Sequence, residues 1–315
     1  MSGVESLPHR WAQPATILVA TDLHDLDRLV PFAISQAAEN GARVILLHVL
    51  ATVALASDAA GLPYYDTVGL LEDADKALLP WCEAARRQGI ACDALVREGV
   101  PAQQIAAAAR QFQADRVFLG TRSRSKLSKL FLGSVAEQVL RSVNLPVITV
   151  GPEAHLLVEG NEKRVVLHAT TLRETSRPSA ALACRVAASQ RVKLVLVHVL
   201  PPIADLEAQG PATEIDAYTM EELRRLGDEV GAGSGVEVEP VVVHGNPSIE
   251  ILAEASERRA GLIVLGSTHR LALENLARDR TVYRVLAHAR CPVLTLREPL
   301  EPQPQAHPER AEAYH

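Results

Sequence analysis

A run of basic residues between two glycines of the N-terminal half gives the clearest chemical signal in this sequence. The run lies between Gly120 and Gly133, and no acidic residue occurs from Arg116 to Ala136. Its four cations are Arg122, Arg124, Lys126 and Lys129. Gly133 and Ser134 open a stretch of helical periodicity, and the free N–H groups and dipole of a helix start attract anions. Residues of these types in this order predict an anion-binding site suited to a phosphate group.

Thr21 and Asp22 follow the first apolar run and supply a second candidate group. A carboxylate at a strand end can accept hydrogen bonds from a ribose hydroxyl or a base, or bind a metal ion. Asp22 could equally cap the helix that follows. Ser134 and Glu137 have the spacing of a capping box, and the basic run has the composition of a solvated surface. Purely structural roles therefore remain open for both features.

Motifs that would catalyse hydrolysis are missing from the sequence. It has neither a G-x-x-x-x-G-K-(S/T) phosphate loop nor a G-x-S-x-G nucleophile elbow, so we expect no catalytic residues. His48 and His198 lie in apolar runs without a cysteine or carboxylate at ligand spacing, which predicts hydrogen-bonded core histidines and no metal site. Four histidines lie at predicted strand ends of the second half. If they meet there, they could bind a metal ion or another small ligand, which is the alternative. Those histidines are His168, His198, His244 and His269.

An internal repeat supplies the elements that must position these residues. The segments 15–23 and 42–50 recur at 164–172 and 192–200, and all equivalent positions are separated by 146–150 residues. A repeating unit of that length is a whole domain, because solenoid repeats are several times shorter. The chain therefore carries two copies of one fold.

Within each copy, short β-branched runs alternate with helical stretches. In the first copy the runs are Ile17–Ala20, Val44–Val49, Ala94–Arg97, Val117–Leu119 and Val147–Val150, and the helical stretches are 27–40, 66–88, 101–113 and 135–143. Nearly continuous apolar strands separated by helices indicate a parallel sheet covered on both faces. We predict an α/β fold of two tandem, doubly wound, five-stranded parallel sheets in the order 3-2-1-4-5. Such sheets bind ligands where the winding reverses, here after strands 1 and 4.

Composition excludes several classes of function. The chain has 315 residues, 32 Lys and Arg against 38 Asp and Glu, and 3% aromatic residues, which argues against nucleic-acid binding. Its apolar runs are far shorter than the roughly 20 residues that cross a bilayer. The four scattered cysteines form no C-x-x-C pair and fit a reducing compartment. They are Cys82, Cys92, Cys184 and Cys291. We expect a cytoplasmic protein without nucleic-acid or membrane partners.

The repeat and the local composition also predict the domain boundaries. We expect an N-terminal leader at 1–14, a first domain at 15–152, a linker at 153–162, a second domain at 163–297 and a disordered tail at 298–315. The joint at Gly151–Glu162 mixes glycine, proline and acidic residues, and the tail is rich in proline and charge, as segments outside packed domains commonly are. The two domains thus account for nearly all of the chain.

Several of these segments resemble the universal stress proteins, in the tandem form that carries two such domains. The resemblance rests on "ILVATDL" at 17–23, "ILLHV" at 45–49, "EGVP" at 98–101 and "LPVITV" at 145–150. It covers nearly the whole chain, from about residue 15 to residue 297. It implies a fold like that of the adenine nucleotide alpha-hydrolases.

The nucleotide motif of that family, G-x2-G-x9-G-(S/T), is present with one substitution. It reads Gly120, then Ser123 in place of the second glycine, then Gly133 and Ser134 at the family's spacing. The resemblance implies ATP as ligand, with or without Mg²⁺. The residues that it implies around the nucleotide are Ala20, Thr21, Asp22, Val49, Leu119, Gly120, Ser123, Gly133, Ser134 and Val135. Ser123 adds a Cβ where the backbone approaches a phosphate, and whether binding survives that change is left open.

The second copy departs further from the motif. Thr171 replaces the aspartate, His269 the second glycine, and Asp279 and Arg280 the final Gly-Ser pair. A carboxylate at position 279 would repel a polyphosphate. The resemblance therefore implies a nucleotide-binding domain 1 and a degenerate domain 2 with a structural or regulatory role.

The resemblance also implies a role in stress response or signalling. Single-domain members pair as homodimers, so the final strands Pro146–Val150 and Pro292–Leu296 are expected to pair the two domains of this chain. Association of two chains into a homodimer is left open. Enzymatic activity is expected to be absent or limited to slow ATP hydrolysis or self-phosphorylation. The alternative function is a scaffold without ATP, or a tandem stress protein that binds another small ligand or a metal.

Overall fold

Ten strands and their covering helices make up the part of the chain that the structure describes. The computed structural model describes residues 7–51, 67–121, 132–154, 164–202, 212–268 and 276–298. The first half contains α1 (His9–Ala12), β1 (Thr16–Thr21), α2 (Leu26–Asn40), β2 (Arg43–Ala51), α3 (Thr67–Arg87), β3 (Cys92–Gly99), α4 (Pro101–Gln111), β4 (Arg116–Gly120), α5 (Ser134–Ser142) and β5 (Val147–Val150).

The second half repeats this alternation. It contains β6 (Val166–Ala169), a 3-10 turn (Glu174–Ser176), α6 (Arg177–Gln190), β7 (Leu194–Leu200), α7 (Ala212–Gly231), β8 (Val238–His244), α8 (Pro247–Glu257), β9 (Leu262–Thr268), α9 (Leu276–His288) and β10 (Val293–Glu298). None of the helices in either described half is both long enough and apolar enough to cross a bilayer.

Strand order confirms the predicted doubly wound topology in both halves. The ten strands form one sheet in the order β3-β2-β1-β4-β5-β10-β9-β6-β7-β8, so each half has the order 3-2-1-4-5. All pairings within a half are parallel. The halves join where β5 runs antiparallel to β10, with Ile148 opposite Leu294. Both of these residues are about 1% exposed or less, so the join is a buried part of the core.

The central strands are buried on both faces, as the apolar runs predict. All six residues of β1 are buried. Ile17 and Val19 contact one hydrophobic cluster, whereas Leu18 and Ala20 contact the cluster on the opposite face. This alternation follows from the two-residue period of a strand, and helices cover both faces of the sheet. The central strand β1 therefore presents groups to a ligand at its carboxyl end and not along its faces.

Residues 7–14, here called the N-terminal strap, contact both halves of the molecule. Arg116 at the start of β4 is 1% exposed, and its Nη2 donates to the carbonyl oxygens of Trp11 and Ala12 at 2.6 and 3.3 Å. Arg185 of α6 donates from Nη1 to the carbonyl oxygen of Leu7 at 2.7 Å. A guanidinium of each half thus holds a stretch that precedes the first repeat.

Candidate functional site

The turn after β1 is closed by hydrogen bonds around Thr21. The buried Thr21 hydroxyl donates to Asp25 Oδ1 at 2.5 Å and accepts from the backbone N–H of Leu23 at 2.9 Å. Leu23 has a φ of 71°, in the left-handed region that a leucine seldom adopts. The chain therefore reverses sharply directly after the strand. We call the space at this strand end, where doubly wound sheets bind ligands, the crevice.

Asp22 does not cap the helix that follows, so that interpretation of this residue is wrong. The helix α2 begins at Leu26 with Asp25 at its N-cap position, and no side chain caps it. Instead, Asp22 Oδ1 accepts a hydrogen bond from the backbone N–H of His24 at 2.9 Å. This local turn holds the half-buried Asp22 at the mouth of the crevice.

Asp25 lies over the end of β4, and its role is not evident from the sequence. A Cβ added to Gly120 would collide with the Asp25 carboxylate, so a larger residue at this position would require that carboxylate to move. Burial raises the pKa of Asp25, and the nearby Asp22 raises it further, against the opposing effects of Thr21 and Arg28. The carboxylate thus joins the ends of β1 and β4 across the point where the winding reverses.

The register of the strands shapes the walls of the crevice. The pairing of β1 with β2 ends at Thr21 opposite His48, and that of β1 with β4 ends at Ala20 opposite Leu119. The strand β2 continues to Ala51, beyond the end of β1. Val49 therefore lies past the last β1 partner, on a wall of the crevice. The His48 ring accompanies it, with Nδ1 2.9 Å from the carbonyl oxygen of Thr21.

The start of α5 lies beside the end of β4. The N–H of Gly133 donates to the carbonyl oxygen of Thr121 at 3.1 Å, which brings together the two ends of the basic segment. Gly133 is the N-cap residue of α5 and has an extended backbone, with φ −60° and ψ 141°. The first N–H groups of α5 have no carbonyl acceptor within the helix, as at every helix start.

The capping box predicted for Ser134 and Glu137 does not form. Ser134 is the first residue inside α5, and no side-chain hydrogen bond caps the helix. The Glu137 carboxylate instead pairs with Arg141, four residues later on the same helix. Within the described residues, the N-terminus of α5 is therefore left without the intramolecular cap that its sequence offers.

The structure brings most of the candidate residues to one end of the first sheet. These are Ala20, Thr21, Asp22, Val49, Leu119, Gly120, Gly133, Ser134 and Val135, at the ends of β1, β2 and β4 and the start of α5. Ser123 and the four cations of the basic run lie outside the described residues. The crevice thus combines two acidic side chains with the start of a helix.

Domain 2 repeats the crevice with a different set of polar groups. Thr170 accepts from the backbone N–H of Leu172 at 3.1 Å, and its hydroxyl lies 3.1 Å from that of Ser176. Ser176 holds the N-cap position of α6, where domain 1 has Asp25. The helix with Asp279 begins at Leu276, so this aspartate lies within the helix and does not stand at its cap.

In domain 2 the carboxylate comes from Glu298, because Ser176, which stands where domain 1 has Asp25, has a hydroxyl group instead. Although the sequence assigns this residue to the tail, it ends β10 and is 4% exposed. A Cβ on Gly266 would collide with its carboxyl group, as a Cβ on Gly120 would with Asp25. Glu298 Oε1 lies 2.5 Å from the hydroxyl of Ser179, and burial raises the pKa of Glu298 to about 7.

Stability should depend on pH through Glu298. Because its folded pKa lies above the ordinary value of 4.5, the protonated carboxyl stabilises the fold fully below pH 4.5, and this contribution is lost as the pH rises to about 7. As the pH rises from 4.5 to 8, the parent protein loses this contribution and Glu298→Gln does not. The unfolding free energy of the variant should therefore rise by roughly 2–3 kcal/mol relative to that of the parent over this range. Urea denaturation at several pH values measures this gain, with the exposed Glu83→Gln as control. An equal pH profile for parent and Glu298→Gln would contradict the assignment.

Several of the described histidines lie beside backbone carbonyl groups. His198 Nδ1 lies 2.9 Å from the carbonyl oxygen of Thr170, and His168 Nδ1 lies 3.0 Å from that of Val264. Burial lowers the pKa of His168 to about 4, so its ring is neutral at physiological pH. Among the described residues, no group of three or more His, Cys, Asp or Glu side chains could hold a metal ion. His269 lies outside those residues.

The strand order defines a tandem, doubly wound α/β protein, and in such sheets the reversal of the winding is where ligands bind. The sequence model of the universal stress protein family matches residues 15–151 and 163–297. The chain belongs to the universal stress protein family.

Known members of the family match either one repeat or the whole chain. A universal stress protein of Thermus aquaticus is 33% identical over 142 residues, which are 43% of this chain and 97% of the relative. One of Mycolicibacterium smegmatis is 26% identical over 303 residues, which are 89% of this chain and 96% of the relative. The crystal structure of a universal stress protein from Archaeoglobus fulgidus has a TM-score of 0.70 at 23% identity, and the match covers 91% of this chain and 97% of that chain. This last likeness supports the shared fold.

Proposed function

We propose that domain 1 binds ATP in the crevice between the ends of β1 and β4, and that this protein acts as a nucleotide-responsive stress or signalling protein. The observation that carries the proposal is the uncapped start of α5, which the Gly133 to Thr121 hydrogen bond fixes beside the end of β4. Free helix N–H groups at a reversal of the winding suit a phosphate group.

The polar groups of the crevice match the parts of the nucleotide that the family resemblance implies. The half-buried Asp22 can accept hydrogen bonds from ribose hydroxyls, and the backbone of Val49, which lies past the last β1 partner, would contact the adenine edge. The phosphates would lie against Gly120, Gly133 and the amides that follow.

Domain 2 takes a structural or regulatory role in this proposal. It carries two acids, Glu274 and Asp279, in the segment that corresponds to the acid-free basic run of domain 1. Glu298 adds a buried carboxyl group at the end of β10. We further propose that the join of β5 and β10 pairs the domains within the chain in the way that separate subunits pair in single-domain members. Mg²⁺ would accompany ATP only through its phosphates.

Calorimetric titration with ATP tests the proposal through position 133. Gly133→Asp should lower ATP affinity at least about tenfold, because a fixed carboxylate would stand against the phosphates. Aspartate is a favourable N-cap residue, so the substitution should preserve or raise thermal stability. Gly133→Asn is the matched control, since it offers the same cap without the charge and should retain most of the affinity.

Two results would count against the nucleotide. Absence of heat with millimolar ATP in the parent protein would reject ATP binding, and equal losses in the Asp and Asn variants would show that charge is not the cause. Native mass spectrometry of protein purified without added nucleotide addresses the alternative, because a different co-purified ligand has its own mass. In that case the chain is a stress-protein scaffold for that ligand.

A further inference from the structure

Two cysteines meet beneath the turn between α3 and β3. Cys82 Sγ and Cys92 Sγ are 2.9 Å apart, and the Cys92 thiol donates to the Cys82 sulfur. Both residues are about 1% exposed or less and lie in the hydrophobic cluster on one face of the sheet. Sulfur atoms at this separation need to approach by only about 0.9 Å to reach the bond length of a disulfide.

The surroundings of the pair distinguish the two sulfurs chemically. Arg86 lies one helical turn after Cys82, and its Nη2 donates to the carbonyl oxygen of Cys92 at 2.5 Å. The hydrogen bond from Cys92 lowers the pKa of Cys82, and the charge of Arg86 lowers it further, against burial and the weaker effects of Asp93 and Asp75. The same hydrogen bond and burial raise the pKa of Cys92. Cys82 is therefore the better nucleophile, and Cys92, with its sulfur 2.9 Å away, is placed to attack Cys82 once Cys82 has been oxidised.

The position of the pair in the fold permits brief exposure. The strand β3 is at an edge of the sheet, and Cys92 is its first residue. The turn at residues 88–91 connects the helix that carries Cys82 to Cys92, and it contains Gly89 at a φ of 80°. Arg86 at its side is half exposed. Edge elements open locally at a lower free energy than central strands, so a molecule as small as hydrogen peroxide can reach Cys82 without global unfolding.

We propose that Cys82 and Cys92 form a peroxide-driven, reversible disulfide site that is separate from the nucleotide crevice. The Cys82 thiolate attacks one oxygen of hydrogen peroxide, and the O–O bond breaks to give a sulfenic acid and hydroxide, which takes up a proton as water. The Cys92 sulfur then attacks the Cys82 sulfur, and the S–O bond breaks to release a second water. Two thiols and one peroxide thus give one disulfide and two waters, and an external thiol reverses the change by exchange.

The remaining cysteines provide an internal comparison. Cys291 is buried, and its burial raises the pKa of its thiol to about 12, so it carries little thiolate. Cys184 is also buried and contacts the Ser234 hydroxyl at 3.6 Å. All four cysteines are free in the structure. The proposal therefore predicts oxidation at one pair and at neither of these two residues.

Peptide mapping of the full chain after a modest excess of hydrogen peroxide tests the site. The intact mass should fall by two hydrogen atoms, a peptide linked through Cys82 and Cys92 should appear, and dithiothreitol should remove it. Cys184 and Cys291 should remain open to alkylation after denaturation. Absence of the linked peptide in the parent protein, whether the cysteines stay reduced or oxidise elsewhere, would overturn the proposal.

Single variants test the roles of the two sulfurs. Cys92→Ser should leave the sulfenic acid unresolved, so labelling of Cys82 by dimedone should rise on the order of tenfold over the parent. Cys82→Ser should give no comparable labelling of Cys92, and Cys291→Ser should still form the linked peptide. Stronger labelling of Cys92 in Cys82→Ser than of Cys82 in Cys92→Ser would reverse the assignment. The mapping of the parent chain needs no variant, so it decides the proposal even where a serine variant folds poorly.

Discussion

Replacing Gly120 with alanine should lower the free energy of unfolding by about 2–3 kcal/mol, and it should also weaken the binding of ATP. The new methyl group would collide with the Asp25 carboxylate, which is buried and held by the Thr21 hydroxyl. To relieve the collision, Asp25 must leave its hydrogen bond or the ends of β1 and β4 must separate. Either movement widens the crevice where we propose that the nucleotide lies. Urea denaturation and ATP calorimetry measure the two effects.

A double-mutant cycle isolates the cause of that loss. In the background of Asp25→Ala the obstructing oxygen is gone, so Gly120→Ala should cost less than about 1 kcal/mol there. The same cycle with Gly266→Ala and Glu298→Ala provides the matched test in domain 2, where a different strand supplies the carboxyl group. Additive costs in domain 1 would show that the glycine is needed for a reason other than the Asp25 contact.

Arg116→Ala should destabilise the protein by about 3–5 kcal/mol, measured by urea denaturation. The substitution leaves the carbonyl oxygens of Trp11 and Ala12 without their donor and opens a cavity at the start of β4. Burial lowers the pKa of Arg116 to about 10, so the side chain still carries its charge at neutral pH and its hydrogen bonds are charge-assisted.

Two controls separate the hydrogen bonds of Arg116 from its volume. Arg116→Met fills most of the space. It should therefore regain the free energy of unfolding that Arg116→Ala loses through the cavity, but not the free energy lost with the hydrogen bonds. In a Trp81→Phe background Trp11 is the one remaining tryptophan of the chain, and its emission should shift to the red when the N-terminal strap detaches. An unshifted spectrum in Arg116→Ala would show that the strap is held by other contacts, such as Arg185 with Leu7.

Much of the fold could be predicted from the sequence because it depends on periodic patterns within one segment. The predicted helix at 27–40 is observed at Leu26–Asn40, and the predicted run Val147–Val150 is the strand β5. The repeat then showed that both halves share one topology, and apolar runs showed that each sheet is covered on both faces. The strand Ala94–Arg97 is longer in the structure, at Cys92–Gly99, because its edge position tolerates polar residues that the apolar pattern excludes.

The polar contacts of the crevice could not be predicted, because they join residues that are distant in sequence or compete for the same group. Asp25 meets Gly120 only after the sheet has formed, and Glu298 meets Gly266 and Ser179 from the far end of the chain. Ser134 and Glu137 have the spacing of a capping box, yet α5 begins one residue too early for it, and Glu137 pairs with Arg141. A local motif cannot reveal which of several partners a side chain takes.

The antiparallel meeting of β5 and β10 decides how the two crevices are oriented toward each other. Every strand of a half runs parallel to its own last strand, so the carboxyl ends of the two sets point in opposite directions across the molecule. The two crevices therefore lie at opposite ends of the strands of the shared sheet. The halves are connected through the paired backbones of β5 and β10 and through the N-terminal strap, so communication between the crevices can use either connection.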